Sequence, residues 1–221
     1  MLRALVFDFD GLILETEEPV LRSWQEIYRE YGLELPVDEW LACVGTDYSE
    51  ETFHPYEYLE RHVGPLDRAA VHERQHRRYV EIVEDQPILP GVERLIEEAR
   101  ERSLRLAVAS SSSRDWVVGN LERLGLARHF VAIRCADDVA QVKPDPALYR
   151  MAVEALGVPP AAAAALEDSP PGITAARRAG LFCVAVPNAL TRCLDLSHAD
   201  LTVDSLADLS LDDLIAAMAG R

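Results

Sequence analysis

Four short apolar runs, each ending at a polar residue and each bordered by stretches with helical spacing, constrain this chain more than any other feature. Residues 2–7 (LRALVF) end at Asp8, 104–109 (LRLAVA) at Ser110, 161–166 (AAAAAL) at Glu167 and Asp168, and 181–186 (LFCVAV) at Pro187 and Asn188. Weaker runs lie at 130–134 and 201–203. Runs of this length, apolar but for Arg3 and Arg105 near the start of the first two and bounded by polar residues, read as strands buried on both faces. The alanine run is read as strand against alanine's own helical propensity.

Helical patterns occupy 92–102 after Pro90-Gly91, 115–124 before Gly125, 146–156 before Gly157 and 172–179 before Gly180. A glycine just past a periodic segment is a helix stop. Strands alternating with helices of about ten residues require right-handed crossovers and a parallel sheet covered on both faces. The fold class is therefore α/β, a doubly wound, Rossmann-like parallel sheet. Residues 16–87 break the rhythm. They hold no convincing apolar strand, and Leu21, Trp24, Ile27, Tyr28 and Tyr31 recur at helical spacing. A second long helix is expected over 68–83. The expected organisation is a core of 1–15 and 88–221 with a helical cap inserted at 16–87, above the strand ends where open α/β sheets bind ligands.

Composition limits the partners. The 221 residues carry a formal net charge of −16, which argues against nucleic acid or an anionic membrane surface. Cys43, Cys135, Cys183 and Cys193 lie far apart with no CxxC pair, so neither a zinc knuckle nor a disulfide framework is indicated. No stretch approaches the ~18 apolar residues of a membrane span, and the first apolar run is interrupted at Asp8 and Asp10, too early for a signal-peptide core. A cytoplasmic protein, monomeric in solution, is the expectation. Of the 22 basic residues only Lys143 is lysine. A compact ammonium fits a tight anionic pocket that a guanidinium fork does not, though one lysine alone leaves chance open.

Parallel strands set their carboxyl ends along one edge, so Asp8, Asp10, Ser110, Glu167 and Asp168 should converge with Lys143, although 160 residues separate the first from the last. Singly, such residues are helix caps or loop residues. Together they form a self-repelling acidic cluster unless a cation neutralises it. Asp8, Asp10 and Asp168 ionised amount to −3, a phosphomonoester adds about −2, and Lys143 returns +1. A hard dication such as Mg²⁺, which takes carboxylates, water and substrate oxygens, suits that balance.

At four places the residues resemble a known family: DFDGLILETE at 8–17, VASSSS at 108–113, VKPDP at 142–146 and LEDSPPGITAARRAG at 166–180. These are similar to the four motifs of the haloacid-dehalogenase superfamily, in its branch of β-phosphoglucomutases and small-molecule phosphatases. The resemblance covers nearly the whole chain and places the lone lysine on the third motif. It implies Asp8 as nucleophile, forming an aspartyl-phosphate, and Asp10 as acid and then base. Ser110, aided by the amide of Ser111, would bind a phosphoryl oxygen. Lys143 would bridge that oxygen and Asp8. Mg²⁺ would be held by Asp8, Asp168, the main-chain carbonyl of Asp10, and Glu167 directly or through water.

Departures from pattern narrow the chemistry. Asp10 argues against dehalogenation, and the lack of lysine in the insertion argues against Schiff-base phosphonate hydrolysis. Val20 stands where the mutases carry histidine. The expected activity is hydrolysis of a small phosphorylated metabolite, a sugar phosphate or nucleotide-related monoester. The alternatives are a phosphosugar mutase and a non-catalytic binding protein on the same fold. The cap should choose the substrate, with Thr16, Glu17, Trp24, Gly45, Thr46 and Asp47 as candidates. The cap histidines read as solvated helix residues.

Overall fold

The computed structural model describes residues 1–41 and 53–220; Cys43, Gly45, Thr46 and Asp47 lie outside the described residues. In chain order the elements are β1 (Ala4–Phe7), α1 (Glu17–Glu30), α2 (Val37–Leu41), α3 (Pro55–Val63), α4 (Arg68–Glu84), α5 (Val92–Glu101), β2 (Arg105–Ala109), α6 (Arg114–Arg123), β3 (Ala132–Arg134), α7 (Ala147–Leu156), β4 (Ala163–Glu167), α8 (Pro170–Arg178), β5 (Phe182–Ala185), β6 (Leu201–Thr202) and α9 (Leu211–Ala219). The chain divides into two compact units, Met1–Leu14 with Ile88–Arg221, and Glu15–Pro87.

The first unit is a six-stranded sheet in the order β3-β2-β1-β4-β5-β6, with every pair parallel. Phe7 sits opposite Val108 on one side and Leu166 on the other. The residues just beyond these positions therefore reach the carboxyl edge at one level. The chain order reverses across β1, and that is where open α/β sheets form a ligand crevice.

The alanine run is a strand because of what covers it. Ala4, Ala107, Ala109, Ala163, Ala165 and Ala185 pack in one cluster with Leu148, Tyr149, Ala152 and Leu156 of α7 and Ile173, Ala175 and Ala176 of α8. Small side chains on the sheet let these helices approach closely, and burial between layers overrides intrinsic propensity. By strand alternation the larger Leu5, Phe7, Leu106 and Val108, all fully buried, face the other layer.

The second unit is helical. Trp24, Ile27 and Tyr28 of α1 pack with Leu35, Phe53, Leu59 and Val71, and Gln75 Nε2 donates to Ser23 Oγ at 2.8 Å inside that core. Arg78 adds a bidentate pair with Glu26 at 2.5 and 3.2 Å. Glu15, expected in the core unit, belongs with the helices because its carboxylate accepts the N–H groups of Glu17 and Glu18 at 2.8 and 3.1 Å. It supplies the cap of α1 that Thr16 does not. No helix among the described residues is long and apolar enough to cross a membrane.

Candidate functional site

Asp8 leaves β1 with its N–H bonded to Leu166 O at 3.0 Å, which sets its side chain against the end of β4. Lys143 reaches the same point from the loop before α7. Its Nζ donates to Asp8 Oδ1 at 2.5 Å and to Glu167 Oε1 at 2.6 Å, with the lysine side chain only 5% exposed. The ammonium also lies 5.2 Å from the ring centre of Tyr149. The Tyr149 hydroxyl donates to Glu167 Oε1, while Ser169 Oγ donates to Glu167 Oε2 at 3.3 Å. Glu167 is thus fully buried with both oxygens engaged.

Carboxylate oxygens of Asp8, Glu167 and Asp168 lie within 4.8 Å of one another. Asp168 accepts from Asn188 Nδ2 at 2.8 Å, and Asn188 is itself oriented by the N–H groups of Leu190 and Thr191, both at 2.9 Å from its Oδ1. Two glycines admit this crowding. A Cβ on Gly11, whose φ is +72°, would come within 2.4 Å of Asp168 Oδ2. A Cβ on Gly172 would fall 1.9 to 2.2 Å from the Glu167 carboxylate.

The charge balance of the cluster shows in its titration. Burial pushes the Asp8 carboxyl up to about 8; Lys143 pulls the other way, and the charges of Glu167 and Asp10 add to the rise. Burial works to lower the Lys143 ammonium, but Asp8 and Glu167 together outweigh it and hold its pKa above the usual lysine range. One ammonium is insufficient for three carboxylates. An all-oxygen donor set with excess negative charge fits a hard divalent cation, and no histidine or cysteine joins it among the described residues.

Asp10 takes separate partners. Its Oδ2 accepts from Ser112 Oγ at 2.6 Å and Ser110 Oγ at 3.3 Å, and its Oδ1 from Trp116 Nε1 at 3.0 Å. Ser110 is buried and also accepts the N–H of Ser112 at 3.0 Å. Ser111 is exposed, and the hydroxyl that joins the cluster is that of Ser112. Arg114 Nη2 donates to both carboxylate oxygens of Asp138, at 2.8 and 2.6 Å.

The structure thus gathers Asp8, Asp10, Ser110, Lys143, Glu167 and Asp168 at one sheet edge. Thr16 and Glu17 belong to the helical unit, with Thr16 buried before the first turn of α1. Trp24, one of the candidates for the ligand side, packs in the helical core against Tyr28 and Tyr56, where an indole on the apolar face of α1 is best buried. His62, His72 and His76 are exposed and His54 is partly so; His72 meets Tyr56.

A family profile described as haloacid dehalogenase-like hydrolase matches residues 5–186. YhcW of Bacillus subtilis (strain 168), which carries a provisional phosphatase name, is 42% identical over 212 residues, 96% of this chain and 95% of that protein. The β-phosphoglucomutase of the same organism is 29% identical over 218 residues, 96% and 93% of the two chains. CbbY from Rhodobacter sphaeroides has been solved with phosphate, at 34% identity and a TM-score of 0.75 over 97% of this chain and 100% of that one. A substituted CbbY has been solved with xylulose-(1,5)bisphosphate, at 33% identity and a TM-score of 0.73 over 95% and 97%.

Proposed function

This chain belongs to the haloacid dehalogenase-like hydrolase family, and from that premise we propose that it is a magnesium-dependent phosphatase acting on a small phosphorylated metabolite, a sugar phosphate or nucleotide-related monoester, through an aspartyl-phosphate on Asp8. The observation that carries the reading is the pairing of a buried Asp8 with Lys143 at 2.5 Å, beside Glu167 and Asp168. Such a carboxylate is shielded from the charge of an incoming phosphoryl group.

In this reading a carboxylate oxygen of Asp8 attacks phosphorus in line, splitting hydrolysis into two easier steps. Asp10 gives a proton to the departing alkoxide and later takes one from the attacking water. Ser110 turns its hydroxyl to a phosphoryl oxygen, with the Ser111 amide beside it. Lys143 holds that oxygen and Asp8 together, and Glu167 with Tyr149 fixes the ammonium in place. Asp8, Asp168 and the Asp10 carbonyl would hold Mg²⁺, with Glu167, already engaged by three donors, acting through water. The ion supplies neutralisation of the phosphoryl and carboxylate charge. Thr16 and Glu17 are proposed to select substrate from the helical unit, and CbbY's bisphosphate ligand supports a phosphorylated metabolite as the class.

The test is phosphate release from p-nitrophenyl phosphate and a panel of phosphorylated metabolites, with Mg²⁺ or with chelator, beside Asp8→Asn. Release that needs Mg²⁺ and vanishes in the variant is expected. Full activity in Asp8→Asn would overturn the reading, and transfer dependent on a bisphosphate activator would replace it with a mutase.

A further inference from the structure

The two oxygens of Asp10 face donors of different kinds. Oδ1 accepts from an indole, Trp116 Nε1 at 3.0 Å, whereas Oδ2 accepts from two hydroxyls, Ser112 Oγ at 2.6 Å and Ser110 Oγ at 3.3 Å. An indole N–H donates and never accepts, while a serine hydroxyl does both and rotates freely. A proton on Oδ1 would therefore point at another proton. One on Oδ2 is tolerated, because either hydroxyl can turn to accept it or to serve a different acceptor. The indole also stands on a rigid support. Trp116 is in the first turn of α6, which Ser113 begins and which packs through the fully buried Val117 and Leu121.

We infer that Trp116 is a positioning residue for Asp10: its N–H fixes Oδ1 and leaves Oδ2 as the oxygen that protonates the leaving group. This rests on the phosphatase reading above. In the step concerned, a bond forms between an Asp8 oxygen and phosphorus as the bond from phosphorus to the ester oxygen breaks. The proton on Asp10 Oδ2 passes to that ester oxygen, leaving a neutral alcohol and an Asp10 carboxylate. Ser110 is free to turn toward the phosphoryl group because Trp116 still holds the carboxylate.

The position of the proton matters only when the leaving group needs one, and this separates positioning from mere packing. p-Nitrophenyl phosphate expels a stable anion, whereas phenyl and benzyl phosphates expel progressively more basic oxygens. In Trp116→Phe, kcat/KM should fall about tenfold or more for benzyl phosphate, less for phenyl phosphate and about threefold or less for p-nitrophenyl phosphate. Asp10→Asn should show the same gradient, steeper. A semisynthetic or expanded-code protein with benzothienylalanine at position 116 keeps the bicyclic shape and removes only the N–H. It should reproduce the gradient, and serves if the Phe variant melts early. Equal losses on all three esters, or no loss, would overturn the inference while leaving the phosphatase reading intact, provided Asp10→Asn shows its gradient. If the wild type with Mg²⁺ hydrolyses none of the three, both fall together.

Discussion

Replacing Asp8 by asparagine should make the metal-free protein more stable, by an amount that depends on pH. Burial raises the Asp8 carboxyl from 3.8 to about 8. A carboxyl whose folded pKa exceeds its unfolded value supports the fold fully below the unfolded value. That support declines as pH rises and is gone above the folded value. The window is therefore about pH 4 to 8, and at about 1.4 kcal/mol per pH unit the full loss is about 3–6 kcal/mol. Asparagine cannot ionise and escapes it. Lys143 is not orphaned by the change, because Glu167 remains 2.6 Å from its ammonium as a one-to-one pair. Urea unfolding of both proteins in chelator at pH 5, 6, 7, 8 and 9 should give curves that diverge up to about pH 8 and run parallel beyond. With about 2–4 °C in Tm per kcal/mol for a chain of this size, melting should show the same divergence. A difference that is constant with pH, or an asparagine variant less stable at pH 9, would refute the reasoning.

Other outcomes follow from the same geometry. Lys143→Arg keeps the charge but must fit a fork where an ammonium bridges two carboxylates at 2.5 and 2.6 Å over the Tyr149 ring; kcat/KM should fall about a hundredfold or more, and normal turnover would contradict the role given to this lysine. Gly172→Ala pushes a methyl into the Glu167 carboxylate, so a loss of about 1–3 kcal/mol in chemical unfolding should accompany a sharp fall in activity, and a stable, active variant would exclude this packing. Mg²⁺ binding at pH 6 should release close to one proton, because Asp8 is protonated below about 8 and must ionise to meet the cation. At pH 9 the release should approach zero. Calorimetry in buffers of different ionisation enthalpy measures this, and release independent of pH would speak against Asp8 as a ligand.

The residues that end strands were legible because parallel pairing leaves them nowhere else to go. Asp8, Ser110, Glu167 and Asp168 follow from the apolar runs, whereas Lys143, whose isolation among arginines left chance open, was placed by the third motif VKPDP. Asn188 obeys the same rule at the end of β5, where a polar residue past the last buried position could have been added to the set. Tyr149 and Trp116 were not legible. An aromatic residue in the first turns of a helix reads as core, and only the hydroxyl reaching Glu167 or the indole reaching Asp10 gives it a second meaning. The pattern VASSSS pointed to Ser110, whose buried hydroxyl lies 3.3 Å from Asp10, but not to the second hydroxyl of Ser112, which the loop conformation rather than the composition brings in. Glu15 was assigned one unit too early because its capping bonds to α1 depend on main-chain geometry that spacing does not reveal.

The covalent intermediate offers the most direct test of the central claim. The protein would be mixed with p-nitrophenyl phosphate and Mg²⁺, quenched in acid within the first turnover and reduced with borohydride, which converts an acyl phosphate to the alcohol. Peptide mass analysis should find the reduced residue at Asp8 and nowhere else. Phosphate release with unmodified Asp8, or with the label at Asp10 or Asp168, would contradict the assignment of Asp8 as the nucleophile.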